Sequence, residues 1–347
     1  MSFLTKPGRV LRAVLLPAVA LPLLLGGCSS AAPAAAPTSA GAPASSQSPA
    51  ASGWSYTDDT GATVTLDHMP ARVAGFTDQA LSLFSYGLKP VAVFGRTDVA
   101  TDTRFGGYDM TDVAITGNTY GEIDLEALAA AQPDLIVTGI YPADREGAID
   151  PAEPYYGFKD LEQQQKLAAI APIVAIKVGG AGLDVIESNT KLALALGADQ
   201  ARVDADRAAF ETASANLTKV AEAKGLTVSA MYADADGIYL VKPKDEPETQ
   251  LYQALGVDYT ELNPDGPYYW DIFSWENAGK VKVADVILLS NEGFQQADLL
   301  KQATFADDPA LQAGQVFERR VSPMDYSSQA KNLDVLADQL EQSQKVT

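Results

Sequence analysis

Apolar positions recur at helical spacing through residues 198–224. Val203, Phe210, Ala213, Leu217 and Val220 stand at steps of three, four and seven, Asp199 is placed to cap the start, and Gly225 follows the end. At ~1.5 Å per residue such a helix spans roughly 40 Å, about the width of a domain. The segments on either side of it look alike. Before it, residues 125–129 lead to an apolar run at 133–137; after it, residues 275–278 lead to another at 284–288. In each, a glutamate (Glu126, Glu276) opens a short helix, and an aspartate (Asp134, Asp285) begins the run that follows. That is a helix feeding a buried parallel strand, found twice. Two readings fit the pattern: two αβ units of one larger sheet, or two αβ lobes joined by one rigid helix with a cleft between them.

The rest of the pattern fills in both halves. Residues 54–66 alternate around a turn at 58–61, a hairpin. Strands are expected at 72–76, 90–94, 113–115, 134–137 and 173–176, with a helix from Thr77 to Tyr86 stopped by Gly87 and another from about Asp160. Long loops run over 95–110 and 139–158. After Gly225 come strands at 226–231 and 238–240, a helix at 249–255, a turn-rich aromatic loop at 263–270, strands at 285–288 and 316–318, and a terminal helix from Ser328 to about Gln342. No period of 20–50 residues repeats, which excludes a solenoid.

Charge and composition then narrow the function. The 347 residues carry a net charge of -20, and residues 1–27 hold three of the basic residues and no acid. So acidic a chain does not hold nucleic acid by counterion release. Cys28 is the only cysteine and His68 the only histidine, so no intramolecular disulfide and no His- or Cys-rich metal cage can form. Residues 1–27 read as a signal peptide: Lys6, Arg9 and Arg12 precede an apolar run broken by Pro17 and Pro22, too short for a comfortable membrane span. Residues 28–53, rich in Ala, Pro and Ser, read as a disordered tether. The folded body divides into an N-terminal lobe at 54–180, a helical segment with the interlobe helix at 181–225, and a C-terminal lobe at 226–347.

Enzyme signatures are missing: no dinucleotide or phosphate-loop glycine motif and no Gly-x-Ser-x-Gly occurs. His68, the one candidate base, falls between hairpin and first strand, where a surface or structural role is expected. Asp58/Asp59 and Asp307/Asp308 read as turn residues and solvated charges. The expectation is therefore binding without catalysis. In αβ lobes ligands sit at loops leaving the carboxyl ends of strands. Those loops hold Arg96, Arg104, Tyr120, Tyr141, Arg145, Tyr155, Tyr156, Tyr232, Tyr239, Tyr268, Tyr269, Trp270, Phe294 and Tyr326. Rings accept bulky ligands at low entropic cost, and guanidinium groups pair with carboxylate or hydroxamate oxygens.

Several stretches together resemble the class III substrate-binding proteins of ABC importers, iron-siderophore type. They are the hairpin with Pro70-Ala71-Arg72-Val73, Asp124 through Val137, Leu161 through Val174, and Ser274-Trp275-Glu276 through Ile287. The resemblance spans about Trp54 to Gln342. It implies an α/β fold of two αβ lobes with mostly parallel central sheets, joined by one long interlobe helix. Leu25-Gly26-Gly27-Cys28 resembles the lipobox of bacterial lipoproteins, implying lipidation of Cys28 and an anchor on the outer face of the cytoplasmic membrane. The family role implied for Glu126 and Glu276 is docking on permease arginines. The ligand implied is a ferric siderophore with no protein cofactor, carried by a monomer. A hydroxamate fits the aromatic-rich loops better than a triply charged catecholate. Direct ferric-ion binding through tyrosines, and haem or cobalamin binding, are the alternatives.

Overall fold

The computed structural model describes residues 53–319 and 321–347. The expected signal peptide, Cys28 and the tether up to residue 52 lie outside the described residues. The hairpin pairs β1 (Trp54–Thr57) with β2 (Thr63–Leu66) in antiparallel register. Asp58 and Asp59 at its tip do more than turn the chain. Asp58 is 5% exposed and accepts the Ala175 N–H at 3.0 Å, while Asp59 accepts that of Lys177 at 3.0 Å. The pair pins the hairpin to the edge of the first sheet, which corrects the expectation of solvated charges.

The first lobe runs β3 (Val73–Phe76), α1 (Thr77–Ser85), β4 (Ala92–Phe94), β5 (Ala114–Gly117), α2 (Leu125–Ala130), β6 (Leu135–Ile140), α3 (Leu161–Ile170) and β7 (Ile173–Lys177). All five sheet strands are parallel, in the order β5-β4-β3-β6-β7. The order reverses between β3 and β6, so a crevice opens beyond their carboxyl ends, where α1 starts and Tyr141 leaves the sheet.

Two helices then straddle the lobes. α4 (Gly182–Ala195) begins against the second lobe, with Ile186 in its core, and ends in the first with Leu192 and Ala193. A Cβ on Gly182 would lie 2.2 Å from the Pro247 carbonyl, so only glycine permits that approach. α5 (Gln200–Lys224) is the long interlobe helix. Asp199 caps it by accepting the Ala201 N–H, and Gly225 ends it in the left-handed conformation at φ 56°. Its apolar stripe crosses over: Val203 packs in the first lobe's core, and Phe210, Ala213, Leu217 and Val220 in the second's.

The second lobe follows as β8 (Thr227–Ala233), β9 (Gly237–Val241), α6 (Pro247–Ala254), β10 (Asp258–Tyr259), β11 (Trp270–Ser274), β12 (Val286–Gly293), α7 (Gln296–Leu299), α8 (Pro309–Gln312), β13 (Val316–Arg319) and α9 (Tyr326–Gln342). Its sheet order is β11-β9-β8-β12-β13, with β10 also on β8. β8, β10, β12 and β13 are parallel; β9 runs antiparallel to β8, and β11 antiparallel to β9.

The repeated aspartate has the same task in each lobe. Asp134 accepts the N–H groups of Ala71 and Arg72 at the entry to β3, and Asp285 accepts that of Thr227 at the entry to β8. Asp285 also takes the N–H groups of Val346 and Thr347, tying down the end of the chain. These donors outweigh its burial and hold its pKa below the usual carboxylate value. The Glu276 segment differs from expectation: Trp275–Val281 is a 3-10 helix of 7 residues, longer than the one turn usual for that geometry, and contains Gly279.

Candidate functional site

A cavity of about 520 Å³ lies between the lobes. From the first lobe it takes Asp78 and Gln79 at the start of α1, Arg96 beyond β4 and Tyr141 beyond β6. From the second it takes Tyr232 on β8 and Asp234 just beyond it, Tyr239 on β9, Tyr269, Trp270 and Ile272, Ser290 and Glu292 on β12, and Arg319 at the end of β13. Parallel strands deliver their carboxyl ends to one edge, so five strands in two sheets converge here without adjacency in sequence.

Rings form a wall on each side. Tyr141 lies 4.6 Å from Tyr156, which meets Tyr120 at 5.3 Å and Phe76 at 5.2 Å. Opposite, Tyr232 meets Tyr239 at 5.3 Å, Tyr239 meets Trp270 at 6.3 Å, and Trp270 meets Tyr269 at 5.1 Å. Burial pushes the phenols of Tyr141 and Tyr269 well above their ordinary pKa, so both rings present neutral hydroxyls.

The guanidinium groups are already engaged. Arg96 donates to Glu292 at 3.0 Å and to the Tyr156 hydroxyl at 3.5 Å. Burial opposes its charge, but Tyr156, Asp78 and Glu292 outweigh that and raise its pKa. Arg319, 7% exposed at the cleft floor, pairs with Glu246 and approaches Glu248 at 3.9 Å. Glu248 in turn accepts from Tyr252, Gln329 and Asn332 at 3.2–3.3 Å. Among the described residues the lining therefore holds five carboxyl groups, Asp78, Asp234, Glu246, Glu248 and Glu292, against the guanidiniums of Arg96 and Arg319.

Of the expected contact residues, Arg96, Tyr141, Tyr232, Tyr239, Tyr269 and Trp270 meet in the cleft, with Tyr156 and Tyr120 behind them. Four others are placed elsewhere. Arg104 is neutralised by Asp102 and Asp78 and lines a neighbouring chamber of about 740 Å³ that shares Arg96, Ser290 and Glu292 with the cleft. Arg145 pairs with Asp245 across the mouth. Phe294 stacks on Trp275 at 6.0 Å within the second lobe. Tyr326, expected in a loop, is the first residue of α9, because Asp325 caps that helix two residues before the expected start; its ring is 1% exposed against Phe210 and beneath Arg207.

Sequence reasoning missed Glu246, Glu248 and Arg319. The strand-end rule that selected the other residues also points to Arg319, one position beyond the expected strand at 316–318. His68 is exposed, 2.6 Å from Asp67 and 3.6 Å from Asp134, and does not line the cleft. Glu126 and Glu276 are both exposed, each in the first turn of its helix, and burial does not constrain either. No helix among the described residues is long and apolar enough to cross a membrane.

Known proteins sharpen the picture. No curated protein matches the chain. Among solved structures, the ferric-siderophore receptor DesE of Streptomyces coelicolor is 33% identical, with a TM-score of 0.74 over 85% of this chain and 100% of its own. The petrobactin-binding protein YclQ of Bacillus subtilis is 16% identical with a TM-score of 0.65, covering 83% of this chain and 99% of its own. SirA of Staphylococcus aureus, solved with staphyloferrin B, is 19% identical with a TM-score of 0.59, covering 83% and 98%. The last two show the fold alone. A family model described as periplasmic binding protein matches residues 90–320, and on that match, together with the relative from Streptomyces, the chain belongs to the periplasmic binding protein family.

Proposed function

We propose that this protein is the lipid-anchored receptor of an ABC importer, which captures a ferric hydroxamate siderophore in the interlobe cleft and hands it to the permease. The 33%-identical Streptomyces protein, a ferric-siderophore receptor, supports the ligand class. The charge balance of the cleft supports the finer choice and carries it. Among the described residues of the lining both guanidiniums are paired and carboxyl groups outnumber them, so a triply anionic catecholate complex would meet cations already engaged by carboxylates. A neutral or cationic trihydroxamate meets rings and hydrogen-bonding groups instead. Iron stays on the siderophore's own oxygens. A bare ferric ion is less well served, because no three His, Cys, Asp or Glu side chains among the described residues are grouped to hold a metal ion; haem or cobalamin would lack an axial imidazole, since His68 is outside the cleft.

Residues 1–28 support delivery to the outer face of the cytoplasmic membrane through a diacylated Cys28. Glu126 on the first lobe and Glu276 on the second, both exposed, suit docking on permease arginines. A monomer suffices, because one chain supplies both cleft walls. Tryptophan fluorescence titration with a neutral ferric trihydroxamate and a ferric tricatecholate of similar size tests the proposal. We expect the trihydroxamate to bind at least about 100-fold more tightly, a gap of about 2.7 kcal/mol. Tighter binding of the catecholate would defeat the charge argument.

A further inference from the structure

An ion pair spans the mouth of the cleft from one lobe to the other. Arg145, on the segment between β6 and α3, donates through Nε and Nη2 to the two carboxylate oxygens of Asp245 at 2.5 and 2.8 Å. Its Nη2 also donates to the carbonyls of Gly266 and Pro267 at 3.0 and 3.4 Å. The Asp245 carboxylate is fully buried, and its Oδ2 accepts a further bond from the Tyr269 N–H at 2.9 Å. Tyr269 has a φ of 74°, in the left-handed region that a bulky residue occupies only when its surroundings hold it there. From its own lobe, Lys242 steadies the same turn by donating to the Pro267 carbonyl at 2.6 Å and pairing with Asp271 at 3.1 Å.

We infer that Arg145 is a positioning residue and not a ligand contact: by clamping Asp245 from the opposite lobe, it holds Tyr269 in the left-handed turn that presents Tyr269 and Trp270 to the cleft. The contact between the lobes and the shape of the aromatic wall are then coupled. Without the guanidinium, Asp245 is a buried charge with no cation facing it, a state that favours its rotation toward water. The Tyr269 N–H then loses its acceptor and the turn relaxes. Lysine at 145 restores the charge but not the two-oxygen fork, so its rescue is partial. The inference rests on the cleft being the ligand site, yet its first consequence needs no ligand.

Hydrogen exchange over residues 266–270 is measured on ligand-free wild type, Arg145→Ala and Arg145→Lys. Dissociation is then followed by stopped-flow tryptophan fluorescence with ferrichrome, a neutral ferric trihydroxamate. We expect exchange at Tyr269 to rise about tenfold in Arg145→Ala and less in Arg145→Lys, the size of one charge-assisted bond. Dissociation should accelerate about tenfold in Arg145→Ala while association changes less than about threefold. Arg145 has a partly exposed side chain at the rim, so the fold should survive its loss. Unchanged exchange at Tyr269 in Arg145→Ala overturns the inference, and so does wild-type dissociation from a variant whose exchange has risen. If wild type does not bind ferrichrome, the hydroxamate reading fails on its own, and the exchange comparison still decides whether the clamp exists.

Discussion

Replacing Glu248 by Gln tests the electrostatics of the cleft floor. The carboxyl is 5% exposed; burial first, and then the neighbouring Glu246, push its pKa up from 4.5 to about 7. A carboxyl with a raised folded pKa binds its proton more tightly in the native state than in the unfolded chain. Stability is therefore greatest below the unfolded value and falls as pH rises through the window from 4.5 to about 7. At 1.36 kcal/mol per pKa unit the whole effect is on the order of 3 kcal/mol, of which about 1 kcal/mol falls between pH 6 and 8. Gln keeps a carbonyl for Tyr252, Gln329 and Asn332 and leaves Arg319 paired with Glu246 alone. Asp325, raised to about 6 by its own burial, adds a slope of the same sign, but below pH 6. His68 also has a raised pKa through Asp67, but it is exposed, and a His68→Gln control removes its contribution. Urea denaturation at intervals from pH 6 to 8 should show wild type losing about 1 kcal/mol and Glu248→Gln staying nearly flat. Parallel slopes in the two proteins would refute the assignment of the buried charge to Glu248.

The remaining expectations concern the cleft, the docking residues, the anchor and the interlobe helix. Tyr269→Ala and Trp270→Ala should each weaken chelate binding roughly 10- to 100-fold by fluorescence titration, since each removes a large ring from the wall. Glu126→Ala combined with Glu276→Ala should leave chelate affinity unchanged and abolish iron uptake by cells; normal uptake would remove the docking role. Cys28→Ser should move the protein from the membrane fraction to the soluble one, as judged by fractionation and immunoblot. Leu217→Ala, in the fully buried stripe of α5, should cost about 2–5 kcal/mol in urea denaturation, with one cooperative transition because the helix belongs to both cores.

The two-lobe plan was legible because it is written in repeated local signals. Asp199, the apolar stripe and Gly225 marked α5 to within two residues at its start, since caps and periodicity act over a single turn. The Glu-then-Asp pattern marked both αβ units because Asp134 and Asp285 each fasten the entry of the strand beside their own, a task local to any such unit. The antiparallel pairings of β9 with β8 and of β11 with β9 were less legible. Alternation in a five-residue strand says which face is buried, not which direction the neighbour runs. The role of α4 as a second crossing helix was hidden for a related reason: its apolar positions read the same whether they meet one core or two.

The cleft was legible in its rings and illegible in its charges, and the difference has a physical cause. A ring contributes area wherever the chain delivers it, so rings line the cleft from several positions: Tyr141 beyond β6, Tyr232 near the end of β8, Tyr239 inside β9 and Trp270 at the start of β11. An arginine contributes according to its partner, and those partners are distant: Glu292 is 196 residues from Arg96, Asp245 is 100 from Arg145, and Glu246 is 73 from Arg319. Only Arg104 has a partner close in sequence, Asp102, and there the pairing could have been read directly. Composition did hold a clue to the rest. With 45 acidic residues against 25 basic ones, a guanidinium drawn toward a crevice meets a carboxylate more readily than a free anion. In such a chain the groups left without a counter-charge are acids. On the function proposed above, the ligand is decided less by which arginines line the cleft than by how many carboxylates remain after those arginines have been neutralised.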